Sequence, residues 1–206
     1  MALLGRTLLL RGAIAGPGSC GPRRVCVGVL SVAVLAVMPG GYGEVRPYSE
    51  HEVKAAYLHN FAKFVEWPEE KFPEEDTPIV VGLVCRDAFA EVFAATIKRK
   101  TVKGREIKLR RAKRVRDLAD CHVVFIAASE KVRIEDVRAA FKGHSVLTVG
   151  EQEGFAVRGG IVNLTKEKNK VRFEINLDAA KRAGLKMSSQ LLKLAKVIHD
   201  TDKEGT

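Results

Sequence analysis

The sequence predicts an α/β domain of three layers: a largely parallel sheet flanked by helices, with a C-terminal antiparallel hairpin. Continuous apolar runs of strand length alternate with stretches of helical periodicity, as in a parallel sheet that is covered on both faces. Near the C-terminus, two runs alternate polar and apolar residues on either side of the polar turn Lys166–Asn169, which is typical of a hairpin with one solvent-facing side. The first 43 residues differ in composition from the rest and resemble a leader segment. Subtracting them from the 206 leaves 163, which suits one domain with a sizeable core.

The leader differs in composition from the rest of the chain. Its first 43 residues contain four arginines, no acidic residue and the uncharged run Val25–Met38. This run of 14 residues is shorter than the roughly 20 that a membrane-spanning helix needs. Small residues precede Glu44, as at a signal-peptidase site. We therefore predict a cleaved signal peptide over residues 1–43 and a secreted protein.

A strongly signalled helix opens the domain, which we place at residues 44–200. Ser49 and Glu52 form an S-x-x-E capping box, and apolar residues then repeat at helical spacing on one face. Pro68 ends the pattern because the residue before a proline avoids the helical region. The prediction is a helix from Glu50 to Glu66 whose aromatic face packs on the sheet.

The remaining elements follow from the same patterns. Apolar or alternating runs predict strands at Pro78–Cys85, Arg105–Ala112, His122–Ala128, Ser145–Gly150, Gly159–Thr165 and Lys170–Asn176. Helical periodicity predicts helices at Phe89–Lys100, Ile134–Lys142, Leu177–Gly184 and Ser188–Asp200. Leu194 is placed on the inward face of the last helix, and residues 201–206 form a flexible tail.

The chain lacks the motifs that indicate catalysis. No G-x-G-x-x-G follows its first predicted strand, and neither a G-x-x-x-x-G-K-[ST] loop nor a G-x-S-x-G elbow occurs. The five histidines are scattered without metal-ligand spacing. These observations predict a binding protein rather than an enzyme, without a cofactor or a metal.

Positive charge is concentrated in one segment. Lysine and arginine number 35 against 25 acidic residues, and Lys98–Arg116 contains eleven of the cations with Glu106 as its sole acid. In a cytosolic protein this would suggest nucleic acid. Outside the cytoplasm, anionic lipid head groups or an acidic protein surface fit better, and we expect no nucleic-acid partner. A solvated edge of the sheet explains the run equally well.

Four stretches, in this order, are similar to the YfiR family: "KAAYLHNFAKFVEWP", "VLTVGE", "GGIVNL" and "VRFEINLDAAKRAGLKMSSQLLKLA". The resemblance spans roughly the whole chain after the leader. It implies a bacterial periplasmic regulator that represses an inner-membrane diguanylate cyclase by binding its periplasmic part, and so acts in cyclic-di-GMP signalling and biofilm formation. It also implies a homodimer and, in some members, an outer-membrane lipoprotein that sequesters the regulator. The alternative is a periplasmic small-ligand binding or sensor protein.

Two sets of candidate site residues result. Cys85 and Cys121 are the cysteines that remain after the leader, and an oxidising compartment favours a disulfide between them. If their strands are parallel neighbours, however, the two residues lie at opposite ends of the sheet, and two free thiols are the alternative. On the hairpin, Val162, Arg172 and Glu174 are candidates for partner binding, the last two because they lie on its outward face.

Overall fold

Within residues 47–86 and 88–200, which the computed structural model describes, an eight-stranded sheet organises the chain. The predicted signal peptide and tail lie outside these ranges. The helices are α1 (Glu50–Phe64), α2 (Phe89–Ile97), α3 (Ile134–Ala140), α4 (Leu177–Arg182) and α5 (Ser189–Leu192). The strands are β1 (Val65–Glu66), β2 (Ile79–Val84), β3 (Thr101–Val102), β4 (Arg105–Arg111), β5 (Val123–Ile126), β6 (Leu147–Gly150), β7 (Val162–Glu167), β8 (Lys170–Asn176), β9 (Lys186–Met187) and β10 (Lys196–Ile198). Short 3-10 helices cover Glu69–Lys71 and Val115–Leu118.

The sheet is mostly parallel. Its strands lie in the order β10-β8-β7-β6-β5-β2-β4-β3. From β4 through β2, β5 and β6 to β7, each strand runs parallel to its neighbour. β7 and β8 then form an antiparallel hairpin, and β10 runs parallel to β8 at the far edge. This arrangement confirms the predicted fold class.

Helices cover both faces of the sheet and create two hydrophobic clusters. On one face, α1 and α2 bury Leu58, Phe61 and Phe93 against the strands. On the other face, the 3-10 helix before β5 and α3 contribute Leu118 and Val137. Because the parallel strands are covered on both sides, β5 is buried along its whole length, which explains why its sequence is continuously apolar.

The opening helix has the predicted cap. The Ser49 hydroxyl accepts a hydrogen bond from the Glu52 amide at 3.2 Å, and the Glu52 carboxylate accepts one from the Ser49 amide at 2.8 Å. The rings of Tyr57 and Phe61 both lie 5.2 Å from that of Phe173 on β8. The aromatic face of α1 therefore packs on the sheet, as the sequence predicts, and the contact lies at β8.

Two boundaries differ from the prediction. α1 ends at Phe64 instead of Glu66, because Val65–Glu66 pairs with Lys186–Met187 as a two-stranded ribbon. α2 ends at Ile97 instead of Lys100, and the chain then forms the short strand β3, which pairs with β4. The turn between β3 and β4 has positive φ at Lys103 (51°) and Gly104 (80°), as a tight hairpin turn requires.

The final helix is the main error of the sequence prediction. Only one helical turn forms, capped by the Ser188 hydroxyl, and Lys196–Ile198 is a strand instead of a helical segment. The outer edge of β8 supplies hydrogen-bonding partners to this segment, and the β-branched pair Val197 and Ile198 suits a pleated surface. Ile198 is buried as a result. Tertiary pairing therefore overrides the helical spacing of the apolar residues.

A buried histidine lies at the amino ends of the strands. His122 is 3% exposed, and its Nδ1 accepts a hydrogen bond from the Val80 amide at 3.0 Å. Its Nε2 lies 3.3 Å from the Lys71 carbonyl, so the proton of the neutral ring belongs on Nε2. The ring stacks on Phe72 and meets the edge of Trp67. Burial, together with the Lys71 ammonium, lowers the pKa of His122 to about 4.

This histidine predicts a loss of stability in mild acid. Its folded pKa is below its ordinary value, so the stabilising contribution is complete above about pH 6.5 and disappears as the pH falls towards 4. We expect this fall to remove about 3 kcal/mol from the free energy of unfolding. Urea titrations at several pH values, on wild type and on His122→Asn, measure the effect. An equally steep pH dependence in the variant would contradict it.

Candidate partner-binding site

The three hairpin residues proposed as partner contacts have different environments. Val162 is fully buried on the helix-covered face of β7, so its side chain belongs to the core and is not available to a partner. Arg172 is exposed, as the sequence suggests. The Glu174 carboxylate is only 15% exposed, and it lies 3.0 Å from the Lys196 ammonium on β10. The hairpin thus retains one of the three proposed contacts as an open surface residue.

The structure does not bring the candidate cysteine pair together. Cys85 and Cys121 form no disulfide with each other, and Cys121 is buried. Cys85 follows the carboxyl end of β2, whereas Cys121 precedes the amino end of β5, and these strands are parallel neighbours with Val81 opposite Val123. The register places the two residues about six positions apart along the sheet, or roughly 20 Å, whereas a disulfide needs Cα atoms within about 7 Å.

The free edge of β10 exposes apolar side chains, among them Leu194, which the sequence had placed on the inward face of a helix. Among the described residues, the exposed large hydrophobic side chains are Tyr48, Leu194 and Val197, at 79, 72 and 37%. Leu194 lies just after α5 and Val197 within β10, so both belong to one edge of the sheet. Lys193 and Lys196 are exposed beside them. The β-branched pair Val197–Ile198 was the sequence signal for a strand here.

We call this surface the β10 edge, meaning Leu194, Lys196 and Val197. An exposed apolar pair at the edge of a sheet offers contact area to another protein. Within the described chain, β10 is the last strand on its side of the sheet. The β10 edge can therefore bind an apolar segment of another protein.

A charged network fixes α1 to the carboxyl ends of the parallel strands. The Lys54 ammonium lies 2.6 Å from Glu151 and 2.7 Å from Glu50, and Lys166 on β7 lies 2.9 Å from Glu50. Burial alone would lower the pKa of Lys54, but the two carboxylates outweigh burial and raise it. Hydrogen bonds from Lys54 and Lys166 lower the pKa of Glu50 to about 2. A small cleft of about 320 Å³ adjoins this network.

A larger groove of about 640 Å³ lies between α3 and α4. Its apolar lining includes Phe141, Val146 and Ile161, and its charged lining consists of Arg138, Lys142, Arg182 and Glu135. This shape and lining would accommodate a small molecule with an apolar body and an anionic group.

Neither a membrane-spanning helix nor a metal cluster is present in the part of the chain that the structure describes. No helix there is both long enough and apolar enough to cross a bilayer. In the same ranges, no three His, Cys, Asp or Glu side chains are grouped so that they could hold a metal ion.

Fold and surface together define an α/β domain that presents an open, partly apolar sheet edge, as in proteins that act by binding others. The chain belongs to the YfiR/HmsC-like family, whose model matches residues 51–196. This confirms the resemblance found in the sequence. Family membership supports a periplasmic regulatory role in cyclic-di-GMP signalling, and the family is regulatory rather than catalytic.

Two solved structures match the chain at low sequence identity. A conserved domain protein from Vibrio cholerae O1 biovar El Tor is 14% identical, with a TM-score of 0.48 over 72% of this chain and 60% of its own. The ABC domain from Streptococcus pneumonia, solved in complex with L-Trp, is 10% identical, with a TM-score of 0.44 over 59% of this chain and 56% of its own. The chain thus spans under two thirds of either protein. With TM-scores below 0.5, neither likeness supports a conclusion about function.

Proposed function

We propose that this protein is exported to the periplasm and represses an inner-membrane diguanylate cyclase by binding its periplasmic part. Membership of the YfiR/HmsC-like family supports the regulatory role. The observation that carries the contact mechanism is the β10 edge, where Leu194 and Val197 are exposed together at the open side of the sheet. In this proposal the leader, residues 1–43, is a cleaved signal peptide.

The side chains of the β10 edge predict which kinds of side chain the partner presents. Exposed apolar side chains at the centre of a contact contribute most of its binding energy when they fill a pocket. Lys193 and Arg172, both exposed, flank the apolar pair. We therefore expect the cyclase to present apolar side chains flanked by acidic ones. Arg172 remains a candidate contact, whereas Glu174 contributes by holding Lys196 in place.

We also propose two further partners, an outer-membrane lipoprotein and a second copy of this chain. An outer-membrane lipoprotein that captures the regulator would release the cyclase from repression. A homodimer could present two copies of the β10 edge to a dimeric cyclase.

A periplasmic small-ligand binding or sensor protein is the second candidate. The groove between α3 and α4 favours it, because about 640 Å³ with an apolar floor and three cations against one carboxylate in its lining can hold a small anionic molecule.

Copurification separates the two functions. The domain, residues 44–206, carries an affinity tag and is mixed with solubilised inner-membrane proteins of its own host. We expect a membrane protein with a diguanylate cyclase domain in the eluate. A small molecule retained through purification, with no membrane protein bound, would contradict repression by contact and favour the sensor.

A further inference from the structure

The net charge of the whole chain resides in one segment. Lys98–Arg116 has eleven cations and one acid, a balance of +10. Removing these from the 35 cations and 25 acids leaves 24 of each, so the rest of the chain is neutral. Such a separation of charge gives the molecule one strongly positive side.

The structure places this segment at the edge of the sheet opposite to β10. It comprises the residues that follow α2, then β3, β4 and the beginning of the 3-10 helix Val115–Leu118. All of its cations are exposed except Arg105, which is half-buried over the Phe72 ring and donates to the carbonyls of Glu74 and Thr77.

Only part of this charge is neutralised by contact. Arg110 pairs with Asp120, Arg111 with Glu91 and Arg114 with Asp117, at 2.6, 2.9 and 3.0 Å. Lys108 lies 3.9 Å from Glu106. Within the described residues, six exposed cations have no acidic partner within 4.0 Å: Lys98, Arg99, Lys100, Lys103, Lys113 and Arg116. We call these six the basic edge.

Protection of a sheet edge does not account for the basic edge. A single lysine on an edge strand is enough to discourage pairing with another chain, and Lys108 occupies such a position in β4. Five of the six cations lie instead in the connections before β3, between β3 and β4 and after β4, and Arg116 lies in the 3-10 helix that follows. Arg99 and Lys103 have φ values of 61° and 51°, a backbone region that glycine and asparagine usually occupy. Cations are therefore present where turn chemistry alone would favour other residues.

We propose that the basic edge docks on the anionic phospholipid head groups of a membrane. The cations flank a strand of seven residues, which extends about 24 Å, so they are spread out instead of forming a single pocket. The exposed large hydrophobic side chains of the described chain lie elsewhere, so this surface offers no apolar anchor of the kind that a protein contact needs. A lipid surface requires only charge.

Acidic residues beside the basic edge determine which side of the molecule faces the bilayer. The acidic run Glu74–Asp76 borders the basic edge near Arg105, which keeps the amino ends of the strands from lying flat on anionic lipid. The sheet then stands on its β3–β4 side. Seven strand spacings separate that side from the β10 edge, so the β10 edge lies roughly 34 Å further out and stays open to a protein. Membrane docking does not depend on which protein the regulator binds.

Vesicle sedimentation tests this proposal on the domain of residues 44–206, since both hydrophobic clusters form within residues 55–191. The vesicles are pure phosphatidylcholine or a three-to-one mixture of phosphatidylcholine with phosphatidylglycerol (about 25% anionic lipid). We expect sedimentation with the mixed vesicles alone, and weaker binding as salt shortens the Debye length from about 10 Å. Binding should fall about fivefold for each cation removed.

Two triple variants with the same net charge decide the location. Lys98→Gln with Lys100→Gln and Lys103→Gln should bind about a hundredfold more weakly. Lys168→Gln with Lys170→Gln and Lys193→Gln, at exposed positions on the opposite side, should bind nearly as wild type. Equal losses in the two variants would overturn the proposal, because net charge and not the basic edge would then be responsible. The proposal would also be overturned if the wild-type domain did not sediment with anionic vesicles but bound an acidic protein.

Discussion

Replacing Lys54 with methionine is expected to lower the free energy of unfolding by about 3 kcal/mol, since breaking a buried ion pair leaves one charge uncompensated. The side chains of Lys54 and Glu151 are 14 and 10% exposed, and their charged atoms are 2.6 Å apart. Without Lys54, the Glu151 carboxylate keeps the hydrogen bond from the Ala128 amide but loses its counter-charge. Urea unfolding measures the loss.

Two further variants show whether burial is the cause. Lys166 pairs with Glu50 at 2.9 Å, but these side chains are 56 and 43% exposed. Lys166→Met should therefore cost less than about 1 kcal/mol, as exposed pairs do. Combining Lys54→Met with Glu151→Gln removes both charges and should restore most of the lost stability. A double variant as unstable as Lys54→Met would show that the pair is not the reason.

Gly160→Ala should destabilise the domain by about 3 kcal/mol, at the upper end of the usual cost of overpacking. A Cβ at Gly160 would lie 2.2 Å from the buried ring of Phe155, and one at Gly150 would lie 2.5 Å from the same ring. The ring is held between two glycines and cannot move aside. Thermal unfolding of the variant measures the effect.

A double-mutant cycle isolates the clash. Once Phe155→Ala has removed the ring, adding Gly160→Ala should cost less than about 1 kcal/mol, because interacting sites are not additive. Gly82→Ala is a milder comparison, since its nearest neighbour is a terminal carbon of Leu118 at 2.9 Å. Full additivity of Phe155→Ala and Gly160→Ala would contradict contact between the two positions.

The elements that the sequence predicts correctly are those that local patterns determine. The Ser49–Glu52 capping box determines a helix start and the apolar run of β5 determines a buried strand without help from distant residues, and both are confirmed. β10 could not be predicted in this way. The spacing of Leu191, Leu194 and Ile198 also fits a helix, and only the open edge of β8 makes a strand the better solution.

The same limit applies to the candidate site. Alternation along the hairpin identifies which residues share a face, but not which of them meet side chains of a further strand at the edge. β10 lies beside β8 and covers Glu174, while Val162 points into the core. The geometric objection to a Cys85–Cys121 bridge was available from the sequence, because it needed only the parallel pairing that the apolar runs predict.

Cyclase activity in the presence of the regulator tests the central claim most directly. Membranes containing the copurified cyclase are assayed for cyclic-di-GMP synthesis as the domain is added. Wild type should repress synthesis, and Leu194→Asp, at a 72% exposed position, should need at least tenfold more protein. Tyr48→Asp, at a 79% exposed position that precedes α1 in the chain and is not part of the β10 edge, should repress as wild type does. Full repression by Leu194→Asp, or none by wild type, would contradict repression through the β10 edge.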